Sequence, residues 1–159
     1  MKAFVRTAAV AMSLLASAAH GQIDVKVNDP WVRATVPHQM GTGAFMEITS
    51  TRDVRLVAAS SPLTPVVEIH EMSLEGNIMK MRQVEAIDLR AGRTVKLEPG
   101  GYHVMLMELK SQVKEGSTVP VTLVFEDGSG KRESVEVQAR VRPLNADAHS
   151  HGQGAHHHK

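Results

Sequence analysis

Short runs of alternating or wholly apolar residues recur along the chain, and Gly, Pro, Asn and Asp separate them. No run keeps a helical period for long, although Ala86–Leu89 could form a single turn of helix. Many short strands with regular turn residues between them are typical of an all-β sandwich or barrel. Eight to ten strands are predicted, from the segments Ile23–Val27, Trp31–Thr35, Ala44–Thr49, Val54–Ala59, Val66–Met72, Ile78–Val84, Thr94–Leu97, Tyr102–Leu109, Val119–Phe125 and Ser134–Val141.

Turn residues predict how several of these strands connect. Asn28-Asp29-Pro30 predicts a turn between the first two strands. Asp127-Gly128-Ser129-Gly130 predicts the loop of a hairpin near the end of the domain. Gly100-Gly101 predicts a tight turn directly before the strand that begins at Tyr102.

A further hairpin is predicted around Glu75-Gly76-Asn77. A four-residue loop over 74–77 would place Met72 opposite Met79 and His70 opposite Met81. Residues that lie opposite each other in paired strands share one face of the sheet. This register therefore predicts that imidazole and thioether groups converge on one side of the hairpin.

The first 21 residues have the pattern of an export signal. Lys2 and Arg6 precede a small, apolar run over Thr7–Ala19, and small residues near 18–21 offer cleavage sites. The run is shorter than the roughly 20 residues that a helix needs to cross a bilayer. We therefore expect residues 1–21 to be a signal peptide that is cleaved on export to the periplasm, rather than an uncleaved anchor.

After Pro143 the composition changes. Residues 144–159 contain no β-branched or aromatic residue, and five of these sixteen residues are His. Such a segment buries too little apolar area to offset the entropy of ordering, so we expect a disordered tail after a folded domain of residues 22–143. We expect the tail to be native rather than a cloning tag, because its run of three His is short for a tag and His149 and His151 lie outside that run. Its histidines are His149, His151, His156, His157 and His158.

Composition and charge exclude several kinds of function. The chain contains no cysteine, which excludes disulfide frameworks, thiolate metal sites, cysteine nucleophiles, blue-copper electron transfer and lipid attachment through Cys. Removing the Lys2 and Arg6 of the leader leaves 16 Lys and Arg against 17 Asp and Glu, so nucleic acid is not an expected partner. No nucleophile elbow or nucleotide-binding glycine pattern occurs, and an enzyme is not expected.

Methionine and histidine carry the candidate chemistry, with nine of each in the chain. Side chains two residues apart in a strand share a face. His70 and Met72 therefore point the same way, and so do His103 and Met105. The candidate set is His70, Met72, Met79, Met81, His103, Met105 and Met107.

This set of side chains favours monovalent copper. Zn²⁺, Mg²⁺ and Ca²⁺ select imidazole, thiolate or oxygen ligands, whereas Cu(I) also accepts the soft thioether of Met. If the strand from Tyr102 packs beside the predicted hairpin, two imidazoles and two thioethers come together. The predicted Cu(I) ligands are His70, Met81, His103 and Met105.

A plainer interpretation of the methionines remains open, because Met on a strand usually fills the core. Met46, beside Phe45, is interpreted as core, and Met40 as part of a loop. Met72, Met79 and Met107 could be core residues or auxiliary thioethers around the metal site. The sequence does not choose between these alternatives.

The spacing of the four predicted ligands, H-x10-M-x21-H-x-M, resembles the signature of the PCuAC-type periplasmic copper chaperones. The resemblance extends over roughly residues 24–142. Blocks similar to that family are Asp29-Pro30-Trp31-Val32-Arg33, Gly43-Ala44-Phe45-Met46, Leu56-Val57, Ser60-Ser61-Pro62, His70-Glu71-Met72 and Pro99-Gly100-Gly101-Tyr102-His103-Val104-Met105-Leu106-Met107.

The resemblance implies a cupredoxin-like Greek-key β-sandwich or barrel that binds Cu(I) through these four side chains. It implies delivery of copper to a thiolate-containing acceptor, such as the CuA centre of cytochrome c oxidase or another assembly chaperone. The His-rich tail is similar to extensions that capture Cu(II) in some relatives. We expect a monomer that does not insert into the membrane once the signal peptide is cleaved.

Two other functions stay open at this stage. One is a periplasmic copper-buffering or resistance protein without a dedicated acceptor, which the His-rich tail would also suit. The other is a β-sandwich adhesion or assembly module in which the Met and His side chains are only core. Stoichiometric copper binding and transfer to a thiolate acceptor distinguish the three functions.

Overall fold

A computed structural model of the chain describes residues 23–146, and these residues form ten β-strands and no helix. The all-β prediction is therefore confirmed. The predicted signal peptide and the tail from residue 147 onward lie outside the described residues. Within residues 23–146, no helix is long and apolar enough to span a bilayer. The strands are β1 (Val25–Arg33), β2 (Gly41–Ser50), β3 (Val54–Ser60), β4 (Val66–Glu75), β5 (Ile78–Gln83), β6 (Ile87–Leu89), β7 (Thr94–Leu97), β8 (Tyr102–Met107), β9 (Thr118–Asp127) and β10 (Arg132–Arg142).

The strands pair in the order β5-β4-β8-β7-β2-β1-β10-β9-β3-β6, and β8 also pairs with β2. The β1–β10 and β7–β8 pairs are parallel, and the other described pairs are antiparallel. Strands β5 and β6 form the two edges. Strand β8, which carries two of the predicted ligands, lies inside the sheet between β4 and the β7–β2 pair.

One face of the sheet encloses a single apolar core. Every strand except β5 contributes buried side chains to it, among them Val32, Ala44, Leu106 and Phe125. Strands β3 and β4 pack on each other although they are not neighbours in the sheet. Because distant strands share one core, the sheet curls around it and leaves its other face outside.

Strand β1 is continuous where a turn was predicted. It runs through Asn28-Asp29-Pro30, and its register against β2 breaks only between Asn28 and Trp31. Asp29 has a φ of 49°, in the left-handed region. The predicted turn is wrong, because a β-bulge absorbs Pro30, which cannot donate a ladder hydrogen bond.

The predicted turn of helix at Ala86–Leu89 is also wrong, since Ile87–Leu89 forms β6. Ile87 and Leu89 are buried in the core, and Asp88 between them is exposed. This alternation has the two-residue period of a strand. Pairing with β3 fixes the segment at the edge of the sheet.

The β4–β5 hairpin has a tighter loop than predicted. Glu75 pairs with Ile78, so the loop contains only Gly76 and Asn77. Gly76 has a φ of 64°, as the first central residue of a two-residue type II′ turn requires. The predicted four-residue loop is therefore wrong.

The shorter loop shifts the register of the hairpin by two residues. Met72 lies opposite Met81, and His70 lies opposite Gln83. The predicted Met72–Met79 and His70–Met81 pairs are thus wrong. A two-residue shift leaves each side chain on its original face, so His70, Met72 and Met81 still share one side of the sheet.

Candidate metal centre

His70 and His103 lie directly opposite each other on β4 and β8. Their neighbours Ile69 and Val104 belong to the core, so by the alternation of a strand both imidazoles are on the outer face. Both are nevertheless buried, with 8% and 6% of their surface exposed. Their ring centroids are 5.7 Å apart, edge to face. The structure brings the two predicted imidazoles together.

These imidazoles continue a row of rings across four paired strands. Trp31 on β1 contacts Phe45 on β2 with ring centroids 4.5 Å apart. Phe45 in turn lies 6.1 Å from the ring of His103, which meets His70. Phe45 therefore covers one side of the His103 ring on the outer face.

Phe45 fits into this row because Gly43, two residues before it, has no side chain. A Cβ atom on Gly43 would lie 2.6 Å from Cζ of Phe45. Gly43 is also the β2 partner of Met105. The aromatic ring thus occupies the space that a side chain at position 43 would need.

We expect Gly43→Ala to lower the free energy of unfolding by about 1–3 kcal/mol, the usual cost of overpacking. The added methyl group would displace the Phe45 ring, which touches His103. Gly41→Ala is the matched control, since its Cβ would lie 3.1 Å from the flexible methyl end of Met105 and 3.5 Å from the carbonyl oxygen of Leu106, which is an ordinary contact distance. Denaturant unfolding measures both variants, and equal losses would contradict this explanation.

The tautomer of His103 leaves a lone pair beside a sulfur atom. Its Nδ1 lies 3.2 Å from the carbonyl oxygen of Gly101, which can only accept, so Nδ1 carries the proton. Nε2 then has a free lone pair and lies 3.3 Å from Sδ of Met81. Two electron-pair donors therefore lie in direct contact with each other.

His70 has the opposite tautomer. Its Nε2 lies 2.7 Å from a carboxylate oxygen of Glu68, which accepts the proton of Nε2. The remaining nitrogen, Nδ1, is buried and has no hydrogen-bond partner. A buried polar atom without a partner is rare in proteins, and a lone pair in this state is suited to a metal ion. A carboxylate behind a ligating imidazole is the usual arrangement around bound metals.

Thioethers line an open cavity of about 290 Å³ beside the imidazoles. Met72, Met81, Met105 and His103 all contribute to its wall, whereas His70 does not and lies behind His103. Met81 has 50% of its surface exposed. Three of the four predicted ligands therefore share the cavity, and the fourth adjoins it.

The remaining methionines have separate places. Met79 is 48% exposed, and Met107 is half-buried; neither lines the cavity, in contrast to Met72. Met46 is buried in the core, and Met40 is exposed in a loop, so both interpretations are confirmed. The five tail histidines lie outside the described residues.

The electrostatics of the site favour a neutral imidazole at His103. Burial lowers the pKa of His103, the hydrogen bond to Gly101 opposes this effect, and the nearby His70 adds to it. A metal ion binds only the deprotonated ring. Since the pKa lies below the ordinary value of about 6.5, the lone pair of His103 is available at neutral pH.

The donor set fits soft copper better than harder cations. Within residues 23–146, no three His, Cys, Asp or Glu side chains form a group that could hold a metal ion. The converging donors are instead two imidazoles and several thioethers. Cu(I) accepts both of these groups, whereas Zn²⁺, Mg²⁺ and Ca²⁺ prefer other ligands to thioethers.

Sequence reasoning overlooked three residues of this region. Glu68 holds His70, Phe45 packs on His103 from the outer face, and Arg33 lies on the cavity wall. The spacing of Glu68, two residues before His70, is a signal that was present in the sequence, because such residues share a strand face. Arg33 belongs to a block similar to the PCuAC family, but no spacing relates it to the ligands, because β2 and β8 separate its strand β1 from β4, which carries His70.

The fold defines the class of protein: a cupredoxin-like all-β domain of the PCuAC type. Solved structures with this fold include the copper-bound PCuAC domain from PmoF2, with a TM-score of 0.60 and 25% identity over 77% of this chain and 97% of that one. The solution structure of CuI-DR1885 from Deinococcus radiodurans is 30% identical, with a TM-score of 0.51 over 83% of this chain and 87% of that one.

The chain belongs to the LpqE-like family, whose model, described as "Putative lipoprotein LpqE-like", matches residues 25–141. Lxx21020 of Leifsonia xyli subsp. xyli, named a "Putative lipoprotein", is 30% identical over 72% of this chain and 69% of its own length. RP573 of Rickettsia prowazekii is 30% identical over 73% of this chain and 67% of its own length. The present sequence contains no cysteine, the residue through which bacterial lipoproteins carry lipid.

Proposed function

We propose that the protein is a Cu(I) carrier that holds copper through His70, Met81, His103 and Met105 and releases it to a thiolate-containing acceptor. The facing Nε2 of His103 and Sδ of Met81, 3.3 Å apart, carry this proposal. For scale, bonds from zinc to imidazole nitrogen and to thiolate sulfur are about 2.0 and 2.3 Å long in proteins. One ion bonded to both atoms at an angle near 100° would hold them at about this separation.

Three further features support a carrier over an enzyme or an electron-transfer protein. The chain has no Cys to build a blue-copper centre. Met81 is half exposed and the cavity beside it is open to solvent. Thioethers are neutral, weak donors, so a thiolate on a partner can displace them. The CuA centre of cytochrome c oxidase, or an assembly chaperone, is the acceptor that the family resemblance favours.

The site of action in this proposal is the periplasm. The leader pattern of residues 1–21 supports export, and a domain without cysteine suits an oxidising compartment. The His-rich tail would add imidazoles that suit Cu(II). We propose that it captures Cu(II) separately from the main site.

Anaerobic X-ray absorption of the Cu(I)-loaded protein tests the ligand set directly. We expect one copper per chain with both nitrogen and sulfur neighbours. The full chain is compared with a variant in which the five tail histidines are Ala, so that tail binding is separated from the domain. Absence of sulfur neighbours, or of any binding in the tail variant, would overturn the proposal.

A transfer assay separates a carrier from a copper buffer. The Cu(I)-loaded protein is mixed with the apo CuA domain of a cytochrome c oxidase, and copper is measured in each protein after separation. We expect copper to move to the CuA domain. Retention by the loaded protein, together with protection of cells against copper stress, would instead support buffering.

Glu68→Leu is expected to weaken Cu(I) binding by about 10–100-fold, the usual effect of removing the partner of a ligating His. The variant removes the carboxylate that fixes the tautomer of His70. Glu71→Leu is the control, because Glu71 lies on the opposite face of β4 and pairs with Arg82. Chelator competition measures the affinities, and Glu68→Gln should restore part of the loss by accepting the same hydrogen bond.

A further inference from the structure

Arg33 places a positive charge on the wall of the candidate copper cavity. It lines the same cavity as Met81, His103 and Met105. Its guanidinium carbon lies 5.6 Å from the ring centre of Phe45 and 5.9 Å from that of Trp31. Stacking on these two rings holds the charge at the cavity without removing it.

Within the part of the chain that the structure describes, this charge has no carboxylate partner. Among residues 23–146, no Asp or Glu forms an ion pair with Arg33, and none lines the cavity. Its Nε is buried without a hydrogen-bond partner. One terminal nitrogen makes a long bond of 3.4 Å to the carbonyl oxygen of Ala146.

Arg142 also stacks on Trp31, but unlike Arg33 it has a carboxylate partner among the described residues. Its guanidinium carbon lies 5.2 Å from the ring centre of Trp31, so it stacks as Arg33 does. It also pairs with the carboxylate of Asp29, and it does not line the cavity. Of these two stacked arginines, only Arg142 therefore has a carboxylate partner among residues 23–146, and only Arg33 lines the cavity.

An unpaired guanidinium beside a cation site has a definite chemical consequence. It repels a bound cation and attracts an anion, and both effects are stronger away from water. The anion that Cu(I) itself prefers is a soft thiolate. A thiolate that bonds to copper in this cavity would satisfy both the ion and Arg33.

We propose that Arg33 forms an anion subsite that receives the acceptor's thiolate sulfur while copper is being transferred. This proposal rests on the proposed Cu(I) carrier function. The acceptor thiol loses its proton to water, the thiolate forms a Cu–S bond, and the bond from copper to the Met81 thioether breaks. Copper remains monovalent throughout, and Met81 is the ligand displaced because it is the most exposed of the four.

The first test compares an acceptor whose sulfur is an anionic thiolate with an acceptor whose sulfur is a neutral thioether. Cu(I)-loaded protein is mixed with a short two-cysteine peptide or with the same peptide carrying Met in place of Cys, and release is followed by stopped flow. We expect Arg33→Gln to slow transfer to the cysteine peptide at least tenfold and to leave transfer to the methionine peptide unchanged. Arg33→Lys should retain part of the rate, and Arg142→Gln should behave as the wild type.

A second test needs no copper. Trp31 is the only tryptophan of the chain and lies under Arg33, so its fluorescence reports on an anion bound there. Iodide, a soft anion, should quench the apo-protein saturably at constant ionic strength, and Arg33→Gln should abolish the saturable part. Neutral acrylamide should quench both proteins equally, and Arg142→Gln should keep the iodide effect.

The outcomes separate this proposal from the carrier function. Equal slowing with both peptides would mean that Arg33 only maintains the cavity, and unchanged rates would mean that it has no part in transfer. Either result overturns the anion subsite. If the wild type binds no Cu(I), the carrier function fails, and the iodide measurement alone then decides whether Arg33 binds a soft anion.

Discussion

Replacing both Met81 and Met105 by Leu is expected to weaken Cu(I) binding by more than about 100-fold, beyond the range found for residues behind a ligand. Leu nearly matches Met in volume, so the fold should persist while both sulfur donors disappear. The two side chains lie on the wall of one cavity with His103. Competition with a Cu(I) chelator under anaerobic conditions measures the change.

Met79→Leu is the matched control for this result. Met79 lies on the same strand and the same face as Met81 but does not line the cavity. Its replacement should leave Cu(I) affinity within about twofold of the wild type, a change of less than one RT. Undiminished binding by the Met81 and Met105 double variant would refute the proposed ligand set.

The second large effect concerns stability: Phe125→Ala should lower the free energy of unfolding by about 3–5 kcal/mol. Phe125 is fully buried in the core, and it pairs with Leu56 of β3 on one side and with Glu133 of β10 on the other. Truncation leaves a cavity that neighbouring strands, fixed by hydrogen bonds on both sides, cannot easily fill. Urea unfolding at equilibrium gives the change.

Val124→Ala serves as the comparison on the next residue of β9. Val124 is on the opposite face and is only half-buried, so its truncation should cost clearly less. At temperatures where both variants are folded, neither should alter Cu(I) affinity, because the core lies on the other face from the cavity. A similar loss of stability in both variants would contradict the assignment of faces.

The two-residue period of a strand correctly predicted which of these side chains lie on the same face of the sheet. His70, Met72, Met81, His103 and Met105 all share the outer side, although the hairpin register differs from the prediction. A shift of two residues changes partners but not faces. The grouping of the candidate ligands therefore did not depend on the details of the loop.

Predictions that depended on turn chemistry were less successful. Gly76 and Asn77 alone form the hairpin turn, so the cross-strand partner of His70 is Gln83 and not the predicted Met81. Asn28-Asp29-Pro30 interrupts a ladder without ending the strand. In both places the same local residues are compatible with two backbone paths, and pairing with a neighbouring strand decides between them.

Other features could not be predicted from one strand at a time. Arg33 and Phe45 reach the cavity only because β1, β2 and β8 lie side by side in the sheet. Nδ1 of His70 is buried without a hydrogen-bond partner because Glu68 accepts a hydrogen bond from the other ring nitrogen, Nε2. Such features arise from tertiary packing and carry no periodic pattern in the sequence.

The edge position of β5 has a consequence for how the proposed carrier would release copper. Its six residues are all exposed and it adds nothing to the buried core, whereas β8 is anchored between β4 and β2. Local fraying of an edge strand costs much less than global unfolding. In the proposed carrier, fraying of β5 would take the sulfur of Met81 away from copper while β8 keeps His103 in place, so one ligand would leave and the rest of the site would be kept for the next ion.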